Sequence, residues 1–177
     1  MINRWTVVLT FASALGSGLN AGVFFAFSSF VMKALARLSP SQGMAAMNTI
    51  NVVAVTPVFM TALFGTGAAC LLLAVVTPFT WHKPGRAYVF LGAVCYLVGA
   101  ILVTMVFNVP RNHALAGVDP STVDAGRRWT EFVRSWTMWN HVRIVAALTA
   151  AAFLTLALRS LQDGTIANLE PLAGAVR

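Results

Sequence analysis

Acidic side chains are scarce in this sequence. Only five occur in 177 residues, Asp119, Asp124, Glu131, Asp163 and Glu170, and none falls inside a long apolar run. That argues against ion coupling through an intramembrane carboxylate. A carboxylate pair for acid–base work, a glycine-rich phosphate loop and a Ser-His-Asp order are missing as well. The two cysteines, Cys70 and Cys95, each sit within an apolar stretch. This excludes a disulfide framework, makes a poor metal site and fits two small buried hydrophobes. Strand-like alternation is absent too, which argues against a membrane β-barrel.

What is abundant is apolar surface. Hydrophobic residues make up 58% of the chain and charged ones 10%, against roughly 25% charged in an average soluble domain. The mean hydropathy is +0.77. A soluble protein of this length has too little interior to hide so much apolar area, so lipid is the expected solvent. The net charge of +7 is not gathered into a basic face with exposed aromatics. Most Lys and Arg stand at the ends of apolar segments, where they meet headgroups, and nucleic acid is excluded as a partner.

Four stretches, 5–31, 52–76, 87–107 and 142–158, are long enough to cross a hydrocarbon core of about 30 Å, which needs about 20 helical residues. The first is too long for a signal peptide, whose apolar part runs to roughly 7–15 residues, so it is read as a retained helix. Its Gly18 and Gly22 form a small-xxx-small pair that allows another helix to come close. The fold expected is all-α, a four-transmembrane-helix bundle. A long amphipathic connection joins helices three and four. Residues 1–161 form one domain, and 162–177 form a flexible tail. Ser39-Pro-Ser-Gln42 starts a short amphipathic helix through Met44, Met47 and Ile50. Thr77–Arg86 is a tight surface hairpin with an interfacial Trp81. Of the basic residues, seven fall on the side of the first and third connections and five on the other; this weakly places the long connections in the cytoplasm and leaves orientation open.

The polar groups at membrane depth are the candidates for chemistry. At 100° per residue, Trp136, Trp139, Asn140 and Arg143 share one face, which Trp129 and Phe132 continue; His141 lies off it. This stripe reads either as an aromatic belt with a snorkelling arginine or as a pocket whose aromatic walls hold a flat ligand and whose Arg143 stabilises an anion. In Asn108-Val-Pro-Arg-Asn112, Pro110 is expected to end or kink helix three. Asn108 and Asn112 then either satisfy freed carbonyls or bind a ligand. Asn20 and Asn51 are further buried-amide candidates. His113 and His141 flank the same connection, which leaves a haem or copper site open.

Gly22-Val-Phe-Phe-Ala-Phe27-Ser28 with Met32, then Asn51, then Asn108-Val-Pro-Arg-Asn112, then Trp136-Thr-Met-Trp139-Asn140-His141-Val-Arg143 together resemble the anthrone-oxygenase-like family of small four-helix membrane proteins. The resemblance runs over roughly residues 5 to 158. The chain departs from the pattern at Arg111, where an apolar residue is expected between the two asparagines. The family's domain is largely of unknown function, though a few fungal members are implicated in oxidising anthrones to anthraquinones without an organic cofactor.

The resemblance implies a multi-pass protein, of a bacterial inner membrane, acting on flat phenolic, anthrone- or quinone-like substrates. Its catalytic residues would be His141 as general base, Arg143 for the enolate charge and Asn140. Its substrate-binding residues would be Trp136, Trp139, Asn108, Asn112 and Asn51, with no metal ligand. The expected partners are membrane lipid and a small planar apolar ligand, with a homo-oligomer left open. The competing readings are a non-catalytic membrane protein that binds a lipid, quinone or partner helix, and a haem or metal protein using His113 and His141. The four-crossing topology predicts that single cysteines placed at Lys33 and Lys83 are labelled from opposite faces of a sealed vesicle; labelling from one face would rule it out.

Overall fold

The computed structural model describes residues 4–174, with side chains through Leu161. Every regular element is helical: α1 (Arg4–Leu35), α2 (Pro40–Val53), α3 (Pro57–Thr80), α4 (Arg86–Ala116) and α5 (Ala125–Gly174). Among the described residues four helices are long and apolar enough to cross a membrane, α1, α3, α4 and the Ala125–Leu161 part of α5. The chain is a multi-pass membrane protein. Each spanning helix packs chiefly on two neighbours, in the order α1–α5–α4–α3 around the bundle.

Lipid inverts the usual burial pattern. In α1 the inward stripe is Thr6, Thr10, Ser13, Ser17, Asn20, Phe24 and Ser28, while Phe11, Leu15, Leu19 and Phe25 face outward. Apolar residues gain nothing by leaving hydrocarbon, so helix contacts select small and hydroxylated side chains instead. The closest approaches follow the same logic. A Cβ at Gly99 would run into Ala146 of α5, one at Gly92 into Leu154, and one at Gly16 into Thr66 of α3. Gly18 and Gly22, by contrast, have open space around them, so the pair picked out in the sequence does not serve a contact within this bundle.

Three boundaries differ from the sequence reading. The second span begins at Pro57, because Val52 and Val53 close α2. Pro110 does not end the third span, and α4 continues to Ala116. The turns just before it, Leu97–Leu102 and Thr104–Asn108, are π-helical. Within the second of them, the Phe107 carbonyl accepts from Arg111 Nη1 at 2.7 Å. The amphipathic stretch before the fourth span is helical and runs into it unbroken from Ala125. The tail expected at 162–177 lies outside the residues whose side chains are described.

The connections are locally encoded. Gln42 Oε1 accepts from the Ser39 N–H at 3.4 Å and the Ser39 hydroxyl at 2.9 Å, marking the start of α2. Gly85 takes φ +76° at the α3–α4 hairpin, and a Cβ there would lie 3.1 Å from the Ala157 carbonyl. In the α4–α5 link, Asp119 accepts from the Ser121 N–H at 2.9 Å and hydroxyl at 2.7 Å. The backbone bond, and then the hydroxyl, hold its carboxyl below the usual carboxylate range.

Over-packing a tight helix contact costs typically about 1–3 kcal/mol. Gly99→Ala should therefore lower the thermal midpoint of the detergent-solubilised protein, whereas Gly18→Ala should leave it level or raise it. Equal effects at both positions would contradict this packing.

Candidate functional site

The stripe read from the sequence is buried along most of its length. Trp129, Phe132, Trp136, Asn140 and Arg143 of α5 all point inward, and Trp139 is half-buried. The lower part of the stripe serves packing. Trp129 stacks on Phe132 with centroids 5.7 Å apart, and both join Met44 and Met47 of α2 in a small core at one end of the bundle. The upper part borders a cavity of about 240 Å³ enclosed by α1, α2, α3, α4 and α5. Drug-sized pockets run roughly 300–1,000 Å³, so this one suits a single compact ligand.

Five residues expected at the site meet there besides Arg143: Asn51, Asn108, Asn112, Trp136 and Asn140. Trp139 and His141 do not line it. Trp139 lies flat on Phe107, with centroids 3.5 Å apart and planes 7° apart, and Arg111 sits 5.9 Å from its ring. His141 is exposed and lines a separate groove on the outside of the bundle. His113 is exposed as well. Among the described residues no group of three or more His, Cys, Asp or Glu is placed to hold a metal.

The amides face the cavity in one forced orientation. Asn140 Nδ2 donates to the Phe24 carbonyl and to Ser28 Oγ, both at 2.7 Å. Asn108 Nδ2 donates to the Trp136 carbonyl at 3.3 Å. A carbonyl can only accept, so the nitrogen must face it and the oxygen must turn away. The Oδ1 atoms of Asn108, Asn112 and Asn140 are buried and unpartnered, as are Trp136 Nε1 and Arg143 Nε. Buried polar atoms are nearly always paired. Unpartnered ones occur elsewhere among the described residues too, but these five belong to the lining of one cavity and give it both donors and acceptors for a ligand.

Arg143 is the most costly of these groups. It is 6% exposed, and the two ion pairs among the described residues both belong to Arg127. The Phe24 ring lies 3.8 Å from its guanidinium carbon. A desolvated cation–π contact is worth about 2 kcal/mol, while burying an ion costs several. On this balance the buried guanidinium by itself is unfavourable.

The cavity also reaches lipid. Val55, Phe64 and Met105 belong to its lining and are each at least 43% exposed. They place its mouth between α3 and α4, under the α2–α3 link.

Sequence reasoning missed the wall opposite the stripe. Phe24, Phe27, Leu63, Phe64 and Thr104 line the cavity, and three π-helical segments, Phe27–Val31, Thr61–Gly65 and Thr104–Asn108, supply residues to it. Such widened turns gather at functional sites and leave no mark in apolar periodicity. Phe24, Phe27 and Ser28 did have a signal, since they fall in the Gly22–Ser28 motif.

If Arg143 is held for a ligand, removing its charge should relieve the empty protein. Arg143→Met is expected to stabilise the ligand-free form by about 1–3 kcal/mol, read as a higher midpoint in denaturant titration. A loss of that size would mean the guanidinium serves the fold instead.

No curated protein and no solved structure matches the chain. A family model does, over residues 56–153, and its description is anthrone oxygenase. The match takes in α3, α4 and the part of α5 that carries Trp136, Asn140 and Arg143. It covers more than half of the sequence, and the chain belongs to the anthrone oxygenase family.

Proposed function

We propose that the protein is a membrane-embedded oxygenase. It would convert flat phenolic ketones of the anthrone type to quinones with O₂, using no resident cofactor. The observation that carries this reading is the buried, unpaired Arg143 guanidinium at an apolar cavity. Family membership supports the oxygenase class.

The chemistry asks little of the protein beyond holding an anion. An anthrone loses a ring proton to give a delocalised enolate. The enolate passes one electron to O₂, and the resulting radical and superoxide combine at the ring carbon as a peroxide anion. That anion takes back a proton, and loss of water leaves the new carbonyl. Anthrone and O₂ thus give anthraquinone and water. Arg143 would stabilise the enolate, an effect that is large in a dry site. Trp136 and Phe27 would wall the rings. The free Oδ1 atoms of Asn108, Asn112 and Asn140 would accept from phenolic hydroxyls, with Asn51 at the rim.

Among the described lining residues Arg143 is the one titratable group. With no base in that lining, the ring proton would pass to water at the cavity mouth, and Arg143 would favour the enolate left behind. The peroxide anion would take a proton back from that water. His141, facing the outer groove, has no part in this version, and Trp139 supports α4 from outside. The lack of a lining base also favours a second reading, a quinone- or phenol-binding protein without turnover.

Oxygen uptake by detergent-purified, chelator-treated protein given a panel of anthrones separates the two. Uptake should exceed the spontaneous rate and fall about 10²-fold or more in Arg143→Met. It should survive in His141→Gln, with a rate rising along the substrate's ionisation and no inflection near the ordinary histidine value of about 6.5. Binding of anthrones without uptake would favour the non-catalytic reading.

A further inference from the structure

A second concavity lies on the outside of the bundle along the seam of α1 and α5. It measures about 590 Å³ and is lined by Phe25, Met32 and Lys33 of α1 and by Arg134, Met138 and His141 of α5, among others. It takes in the histidine that the cavity leaves out. We propose that this groove binds one anionic phospholipid, with its phosphate between Lys33 and Arg134 and an acyl chain over Phe25 and Met138.

Charge supports this first. Lys33 and Arg134 are exposed, no carboxylate lines the groove, and neither cation has an ion pair among the described residues. Two basic groups therefore converge on one hollow with nothing to neutralise them. Length supports it next. Arg134 and His141 are seven residues apart on one helix, a rise of about 10 Å, and Phe25 and Lys33 are eight apart on the other, a rise of about 12 Å. The groove thus runs from its cationic end across about a third of a hydrocarbon core of about 30 Å. Snorkelling cations on a smooth helix would need no such hollow.

The wall supplies a third observation. Thr137 Oγ1 is buried and has no partner, although Thr137 lines the groove. With His141 it offers hydrogen-bond donors about one to two turns below the cations. A phospholipid carries ester oxygens at that depth below its phosphate. A free phosphate would meet Lys33 and Arg134 but would leave Phe25, Met32 and Met138 facing nothing it can use.

The test is native mass spectrometry of the detergent-purified protein with phosphatidylglycerol or phosphatidylcholine of the same acyl chains. One phosphatidylglycerol should be retained per chain, with a preference on the order of thirtyfold, as expected for two basic groups near an anionic headgroup. The preference should vanish in the double variant Lys33→Gln, Arg134→Gln, whose exposed positions leave the melting temperature unchanged. Millimolar inorganic phosphate should not displace the lipid. Equal retention of both lipids, a preference that survives the double variant, or displacement by phosphate would each overturn the proposal. Anthrone oxidation plays no part in the readout, so this result stands apart from the proposed activity.

Discussion

In hydrocarbon a backbone carbonyl has no water to fall back on, and leaving one unpaired costs several kcal/mol. This bundle nevertheless departs from regular α-helix repeatedly, and side chains then stand as donors at the carbonyls of the widened turns. At Thr61–Gly65 the Ala62 carbonyl accepts from Asn20 Nδ2 at 2.8 Å and from Thr66 Oγ1 at 2.7 Å. The Leu63 carbonyl accepts from the Tyr96 hydroxyl at 3.0 Å. Asn20 comes from α1 and Tyr96 from α4, so meeting this one need fixes three helices against each other. The Asn140 bonds to Phe24 and Ser28 tie α5 to α1 beside the next widened turn. Interhelical hydrogen bonds in membranes average only about 0.6 kcal/mol. Their larger role is to set which helix faces which.

The same amides build the site, because an asparagine has two ends. The nitrogen must serve a carbonyl, so the oxygen is turned away and left buried without a donor. Asn108 and Asn140 repeat this arrangement from two helices, and both oxygens fall at one cavity. Constraints that a stable bundle would impose anyway thus yield a row of acceptors. Arg143 is different in kind, since no packing need asks for an unpaired guanidinium at depth. A site that retains one gives up stability for a function.

Much of the fold was legible because lipid leaves few options. Apolar runs of the right length imply spanning helices, and Ser39-Pro-Ser-Gln42 announced its own geometry. The turn read at Thr77–Arg86 is shorter, because Thr77–Thr80 continue α3 and Arg86 opens α4. The boundaries were less so. Val52 and Val53 are as apolar as the span they precede, yet Pro57 opens the helix, with Thr56 Oγ1 accepting from the Phe59 N–H at 3.2 Å. The wheel at 100° per residue placed Asn140 and Arg143 together and His141 apart, as α5 has them. It grouped Trp139 with the cavity, whereas that indole turns to Phe107 on α4. A wheel describes one helix, and the choice between a pocket and a neighbouring ring belongs to two. The widened turns, which decide where the cavity lies, have no counterpart in hydrophobic periodicity.

A lipid-side mouth and a single cation in the cavity lining fit one kind of ligand better than others. A strong acid is already charged in water and would have to cross an apolar rim of Val55, Phe64 and Met105 as an ion. A neutral but weakly acidic molecule crosses that rim freely and acquires its charge only beside Arg143. Its ionisation then strengthens its own binding, because the opposite charges meet at low dielectric. For the reaction proposed, the converse holds at the end. The quinone carries no negative charge, so the attraction to Arg143 that retained the enolate is gone once water is lost. In the proposed reaction, entry as a neutral acid, retention as an anion and exit as a neutral quinone would all follow from one unpaired guanidinium.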